Sequence, residues 1–234
     1  MQLERVWTAA NWERLLVGDL FNKGVMGGLL LTLVLGVSSI VISTVLGGAL
    51  GAMRASPRRA LSIASGTYVQ IFRSVPLLIL IFWAYFFPPA FGFEISKFSS
   101  VLLALTLFTA AYVGEIVHGG IRSVAQGQLE AARALGMSPL ETQLKIVLPQ
   151  AFFNMLPALT GRYIVSLKNT SLAFLIGLAD LTEIGKQIGA RLMTAPIEVY
   201  LTLLVIYFAV NLGLSTLMRL LEDRGRFNRI FLRI

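Results

Sequence analysis

Five long stretches of this chain, about Val25–Met53, Leu61–Phe87, Phe98–Ile121, Ala151–Leu178 and Val199–Leu221, are apolar almost throughout. A helix needs roughly 20 such residues to cross the ~30 Å hydrocarbon layer, where every backbone polar group must be satisfied within the segment. The expected fold class is therefore an all-α integral membrane protein with five transmembrane helices. The composition agrees, with 56% hydrophobic and only 14% charged residues, against about 25% charged in a soluble domain.

The net charge of +8 is read first as topology, because basic residues flanking the spans set orientation. Segments 53–60, 122–150 and 219–234 hold eleven Lys/Arg, whereas 1–24, 89–98 and 179–197 hold six. That bias predicts the N-terminus outside and the C-terminus in the cytoplasm. It also accounts for the basic excess without nucleic acid. Residues 1–23 read as an external segment, in which Trp7, Trp12, Leu15, Leu16 and Leu20 among charges suit a helix lying in the membrane interface or, alternatively, a plain linker. Residues 24–222 form a single transmembrane domain, and 223–234 a basic cytoplasmic tail. Gly47 and Gly51 form a small-xxx-small pair, which serves packing within the chain as well as dimerisation.

Several chemistries are excluded. With no cysteine and a single histidine, His118, neither disulfides nor Cys/His metal clusters are open to the chain. The N-terminus lacks a basic region followed by an apolar core, so a cleaved signal peptide is not expected. No Gly-x-Ser-x-Gly elbow occurs. The nearest phosphate-loop lookalike, Asp180–Gln187, lacks the leading Gly and the hydroxyl residue after Lys186. The chain carries no catalytic set, no cofactor site and no metal site.

Between the third and fourth apolar stretches lies a polar interruption, Glu130–Gln150, on the cytoplasmic side. Gln128–Leu135 are good helix formers, and Gly136 stands where a left-handed cap ends a helix. Ser138 then suits an N-cap, Pro139 the first helical position, and Glu141 a capping box. Leu140, Leu144, Val147 and Ala151 recur at helical spacing on one face, with Glu141, Thr142, Gln143 and Lys145 opposite. Pro149 ends the element. Such a stiff helix pair can be held by a soluble partner, or it can simply lie at the interface.

The order Glu130-Ala131-Ala132, then Gly136, then Ile146-x-Leu148-Pro149 resembles the EAA signature of ABC importer permeases. "YVQIFRSVPLL" (Tyr68–Leu78), "AYVGEIVHGGIRSVAQGQLEAARALG" (Ala111–Gly136), "LPQA" (Leu148–Ala151) and "LKNTSLAFLIG" (Leu167–Gly177) follow in the order of the polar-amino-acid importer permeases. These are the histidine-, arginine-, glutamine- and glutamate-type subunits, and the likeness covers about residues 24–222. The resemblance implies a type I ABC importer fold in a bacterial inner membrane. It implies a coupling loop over 126–150 that docks on a cytoplasmic ABC ATPase dimer, where ATP and Mg are bound. A second permease copy or a homologous subunit, and an extracytoplasmic amino-acid-binding protein, complete the expected partners. The implied coupling residues are Glu130, Ala131, Ala132, Gly136, Ser138, Pro139, Glu141, Ile146, Leu148 and Pro149. Two departures are His118, where the family often has Arg, and Asn169, where many members have Asp.

Arg73, Glu115, Arg162 and Lys168 fall inside expected spans, where a charge left facing lipid costs a few kcal/mol or more. Arg73 can pair with Glu115 or meet substrate directly, and Pro76 after it should break the helix. Lys168, Asn169, Thr170 and Ser171 either line a polar cavity or back-bond to the helix while the lysine reaches outward. Arg162 and Lys168, with no acid in their stretch, favour an acidic or neutral polar amino acid as cargo, glutamate or aspartate first. A self-sufficient secondary transporter or channel is the alternative function. It would ordinarily show a repeated hydrophobic pattern, and none is evident.

Overall fold

The computed structural model describes residues 8–192 and 196–231; Arg5, Trp7 and Arg233 lie outside the described residues, as do the side chains of Arg224, Arg226 and Arg229. The helices are α1 (Ala9–Val17), α2 (Leu20–Lys23), α3 (Gly28–Arg54), α4 (Arg59–Ser74), α5 (Leu77–Phe86), α6 (Lys97–Arg122), α7 (Gln126–Ala134), α8 (Pro139–Thr142), α9 (Leu148–Asn169), α10 (Leu181–Leu192) and α11 (Pro196–Phe231). A two-residue antiparallel pair, β1 (Gly18–Asp19) with β2 (Val25–Met26), flanks α2.

Among the described residues, three helices are long and apolar enough to cross a membrane: α3, α6 and Ile197–Leu220 of α11. The expected second span is broken, because Val75 and Pro76 adopt extended backbone (ψ 132° and 135°) between α4 and α5. Counted as one span, this pair is the fourth. Pro76 lacks the N–H that would continue the ladder, and it pushes the preceding residue out of the helical region. The stretch expected as Ala151–Leu178 is α9 followed by a 3₁₀ segment, Thr170–Ile176. With Asn154, Arg162, Lys168 and Asn169 along α9, it does not join the apolar set. The five-span expectation thus stands as three unbroken helices and one broken pair. Residues 223–231, expected as a tail, continue α11 to Phe231.

The chain divides into two compact units. One comprises residues 1–41, 76–106 and 164–214. Its core joins Leu15, Leu181, Ile184, Ile188, Val199 and Leu203, with Trp12 packed at the edge. A nine-residue helix such as α1 is marginal alone. The Thr8 hydroxyl caps it by accepting from Asn11 N–H, and burial of Leu15 contributes about 1.5–3 kcal/mol. Residues Ala9–Val17 thus form a helix docked on this core. Thr32 accepts from Leu181 N–H at 3.0 Å and so satisfies one orphan donor at the start of α10.

The other unit comprises residues 42–75, 107–163 and 215–234. Gly47 and Gly51 lie against Val113 and Val117, where an added Cβ would come within 2.5 Å of each valine's Cβ. The small-residue pair therefore serves packing of α3 on α6 within the chain. Polar side chains of α4 are satisfied by backbone carbonyls of these two helices: Ser65 donates to Leu50 O of α3 at 2.6 Å, and Tyr68 to Leu107 O of α6 at 3.0 Å. Thr44 and Tyr163 hydroxyls meet at 2.7 Å.

Candidate functional site: a capped loop and two polar cavities

The caps within residues 126–150 form as the punctuation predicts, but Pro149 does not end the element. Helical backbone runs unbroken from Pro139 through Gln143–Val147 into α9, with Pro149 in the first turn of α9, where proline is tolerated. Helix α7 ends in a left-handed cap, Gly136 at φ 72°. Gly136 N–H donates to Arg133 O and Met137 N–H to Ala132 O, both at 3.0 Å, which is the Schellman arrangement. Ser138 then opens α8: its hydroxyl accepts from Glu141 N–H, while the Glu141 carboxylate accepts from Ser138 N–H at 3.1 Å. Pro139 takes the first turn, and Lys145 pairs with Glu141 at 3.0 Å. The Ser138 backbone N–H, with help from Lys145 and the Ser138 hydroxyl, holds the Glu141 carboxyl down at about 2. Two linked caps make this turn stiff and solvent-facing.

The expected apolar face is divided. Val147 and Ala151 are buried, but Leu140 and Leu144 are 67% and 54% exposed. The cause is a π-helical turn, Gln143–Val147, closed by Leu148 N–H on Gln143 O. Its wider turn rotates Leu140 and Leu144 away from the residues that follow. Thr142, expected on the polar side, is instead buried and donates to Ser138 O at 3.0 Å. Ala132 is buried and Ile146 half-buried, whereas Glu130, Ala131, Leu148 and Pro149 are exposed. The outcome is an apolar outer surface, with Leu135 the most exposed at 81%, on a helix pair braced by its caps.

In the same unit Arg73 donates to Glu115 Oε2 at 3.0 Å, one of the two roles its sequence position left open. Arg54, read from sequence only as a topology marker, donates to that same oxygen. The Glu115 carboxylate is thus balanced by two arginines, neither of them at position 118, where the family often has one. Arg54 could have been found from its position at the end of α3, one Arg side chain away from the membrane interior. The guanidinium of Arg162 stacks over Tyr112 at 3.8 Å and Phe108 at 5.0 Å, and Arg73 lies 5.1 Å from the Tyr112 centroid. A cavity of about 390 Å³ opens here, walled by Arg54, Gln70, Arg73, Ser74, Tyr112 and Glu115.

The polar run after Arg162 lies in the other unit. Thr170 is buried and donates to Leu167 O at 2.7 Å, and Ser171 donates to Lys168 O at 2.8 Å. Both hydroxyls therefore back-bond, and Asn169 is half-buried. Lys168 is exposed and, with Ser171, Tyr207, Phe208 and Asn211, lines a second cavity of about 240 Å³. An ammonium, an amide and hydroxyls at one cavity can hold a zwitterion. Among the described residues no cluster of three His, Cys, Asp or Glu exists to hold a metal.

Residues 40–227 match the family described as binding-protein-dependent transport system inner membrane component. The chain is 35% identical over 207 residues to the glutamate/aspartate import permease protein GltK of Escherichia coli O6:H1, covering 85% of this chain and 92% of that one. It is likewise 35% identical to the probable glutamine ABC transporter permease protein GlnP of Bacillus subtilis, covering 84% and 91%. A crystal structure of an amino acid ABC transporter with histidines superposes with a TM-score of 0.79 at 34% identity, covering 84% and 92%. By its apolar helices, its type I importer fold and these likenesses, the chain belongs to the inner-membrane permeases of binding-protein-dependent transport, among the amino-acid ABC permeases.

Proposed function

We propose that this chain forms the translocation path of an ATP-driven amino-acid importer and is moved by a cytoplasmic ATPase through Glu130–Gln150. The observation that carries the reading is the stiff helix pair with Leu135, Leu140 and Leu144 turned away from the chain. Apolar side chains held outward on a doubly capped turn fit a partner's groove, as an amphipathic helix face does. The coupling residues are Glu130, Ala131, Ala132, Gly136, Ser138, Pro139, Glu141, Ile146, Leu148 and Pro149. Some face the partner and others hold the turn in shape.

The ATPase closes on nucleotide, pushes this element, and reorients the helices it is fixed to. ATP chemistry belongs to that partner, and this chain acts as a lever and a conduit. The basic bias of 53–60, 122–150 and 219–234 puts the loop and C-terminus in the cytoplasm and the N-terminus outside. Residues 24–222 act as one permease domain, beside a second copy or a homologous subunit, and a binding protein delivers cargo from outside. The cargo is a polar L-amino acid, with glutamate or aspartate favoured. Helix α9 carries Arg162 and Lys168 with no acid, and one 35% identical relative is named for glutamate/aspartate import.

The test is ATPase activity of the assembled complex in liposomes, with the cognate binding protein and a panel of amino acids. Stimulation by acidic or amide amino acids is expected. Uptake by this chain alone, without an ATPase, would overturn the reading.

A further inference from the structure

The cavity walled by Arg54, Arg73, Tyr112 and Glu115 holds more positive charge than its one carboxylate balances. Arg54 and Arg73 both direct an Nη1 at the same oxygen, Glu115 Oε2. Neither guanidinium is engaged in the two-bond fork that binds a carboxylate best. A third guanidinium, Arg162, stacks on the Tyr112 ring that lines the cavity, and its Nε and Nη2 are buried without a hydrogen-bond partner among the described residues. A purely structural pair needs one cation for Glu115 and would be sealed. This cluster has three cations, and the side chains of Arg54, Glu115 and Arg73 are 27%, 37% and 42% exposed. Its volume of about 390 Å³ lies within the usual range of roughly 300–1,000 Å³ for small-molecule sites.

We propose that this cavity is a carboxylate-binding station on the transport route, in which Glu115 holds the place that an amino acid's carboxylate takes. The inference rests on the permease reading and deepens it. An incoming carboxylate meets Arg73 and Arg54 with unused N–H groups, displaces the Glu115 oxygen from one of them, and takes the fork geometry. Glu115 then stays paired with the other arginine. It keeps the cluster from trapping anions when cargo is absent, so the site can bind and release. Carboxylate-bearing amino acids are accepted whatever their neutral or acidic side chain. A cationic side chain meets the surplus of guanidinium groups.

The test is calorimetric binding to the purified permease–ATPase complex without binding protein, using L-glutamate, L-glutamine and the carboxylate-free amino alcohol L-glutaminol. Glu115→Gln removes the resident competitor and should bind both carboxylate probes roughly tenfold more tightly, whereas Arg73→Gln should weaken them roughly tenfold. L-glutaminol should not follow either change. Equal L-glutamate affinity in wild type and Glu115→Gln, or a parallel shift for L-glutaminol, overturns the proposal. If Glu115→Gln does not assemble, Arg73→Lys decides: several-fold weaker L-glutamate binding supports the station, and unchanged binding overturns it. Loss of the station with binding-protein-stimulated ATPase intact would leave the permease function standing.

Discussion

Gly51 of α3 and Val117 of α6 meet so closely that a Cβ on Gly51 would stand 2.5 Å from the valine's Cβ and 2.8 Å from Gly114 O. Gly48, three residues earlier, has nothing within 4 Å of an added Cβ. Gly51→Val should therefore lower the melting temperature of the detergent-solubilised protein, through overpacking that costs about 1–3 kcal/mol. Gly48→Ala should be neutral or stabilising by up to about 1 kcal/mol. Equal effects at the two positions would remove the packing role of Gly51.

Gly136 has open space around it but sits at φ 72°. A side chain there meets no neighbour, so its penalty is purely backbone, about 1–2 kcal/mol and more for a β-branched residue. Gly136→Val should leave the protein in the membrane while cutting substrate-stimulated ATPase several-fold. Normal uptake by this variant would mean that the turn's shape is not used for coupling.

Lys168 lines a cavity with Ser171, Tyr207, Phe208 and Asn211. Removing a charged hydrogen-bonding group costs about 1.5–3 kcal/mol. Lys168→Ala should therefore raise the substrate concentration for half-maximal transport roughly tenfold. This is measured as radiolabelled uptake at saturating binding protein, and an unchanged value would take Lys168 off the route.

Asp180 lies in the turn before α10, outside the spans. Burial pushes its carboxyl up to about 7, against the pull of Glu183 and Thr182 backbone N–H groups. An unfolded Asp titrates near 3.9, so between about pH 4 and 7 the folded chain holds a proton that the unfolded chain has lost. Stability therefore falls as pH rises through that window and levels off above it. Asp180→Asn retains a side-chain oxygen for the Glu183 N–H and should flatten this slope in thermal melts. A slope identical to wild type would assign it to other groups.

Features fixed by local chemistry are legible in the sequence. Pro76 breaks its helix, Gly136 takes the left-handed cap, and Ser138 and Glu141 close a capping box, because each depends on residues within one or two turns. What is not legible comes from register and distance. The π-turn at Gln143–Val147 gives no periodic signal, yet it separates Leu140 and Leu144 from Val147 and Ala151. Arg54 reaches Glu115 from the end of a long helix, although flank counting reads it only as topology. The small-xxx-small spacing of Gly47 and Gly51 does not say which helix approaches, and the structure assigns it to α6.

The chain has no cysteine, so Leu140→Cys, at a side chain 67% exposed on the capped pair, introduces a single thiol. In the intact complex this thiol should cross-link to a cysteine placed in the ATPase groove. It should also stay unlabelled by a membrane-impermeant maleimide added outside whole cells. Labelling from outside, or no cross-link anywhere on the ATPase surface, would show that the helix pair does not carry force from the ATPase to the permease.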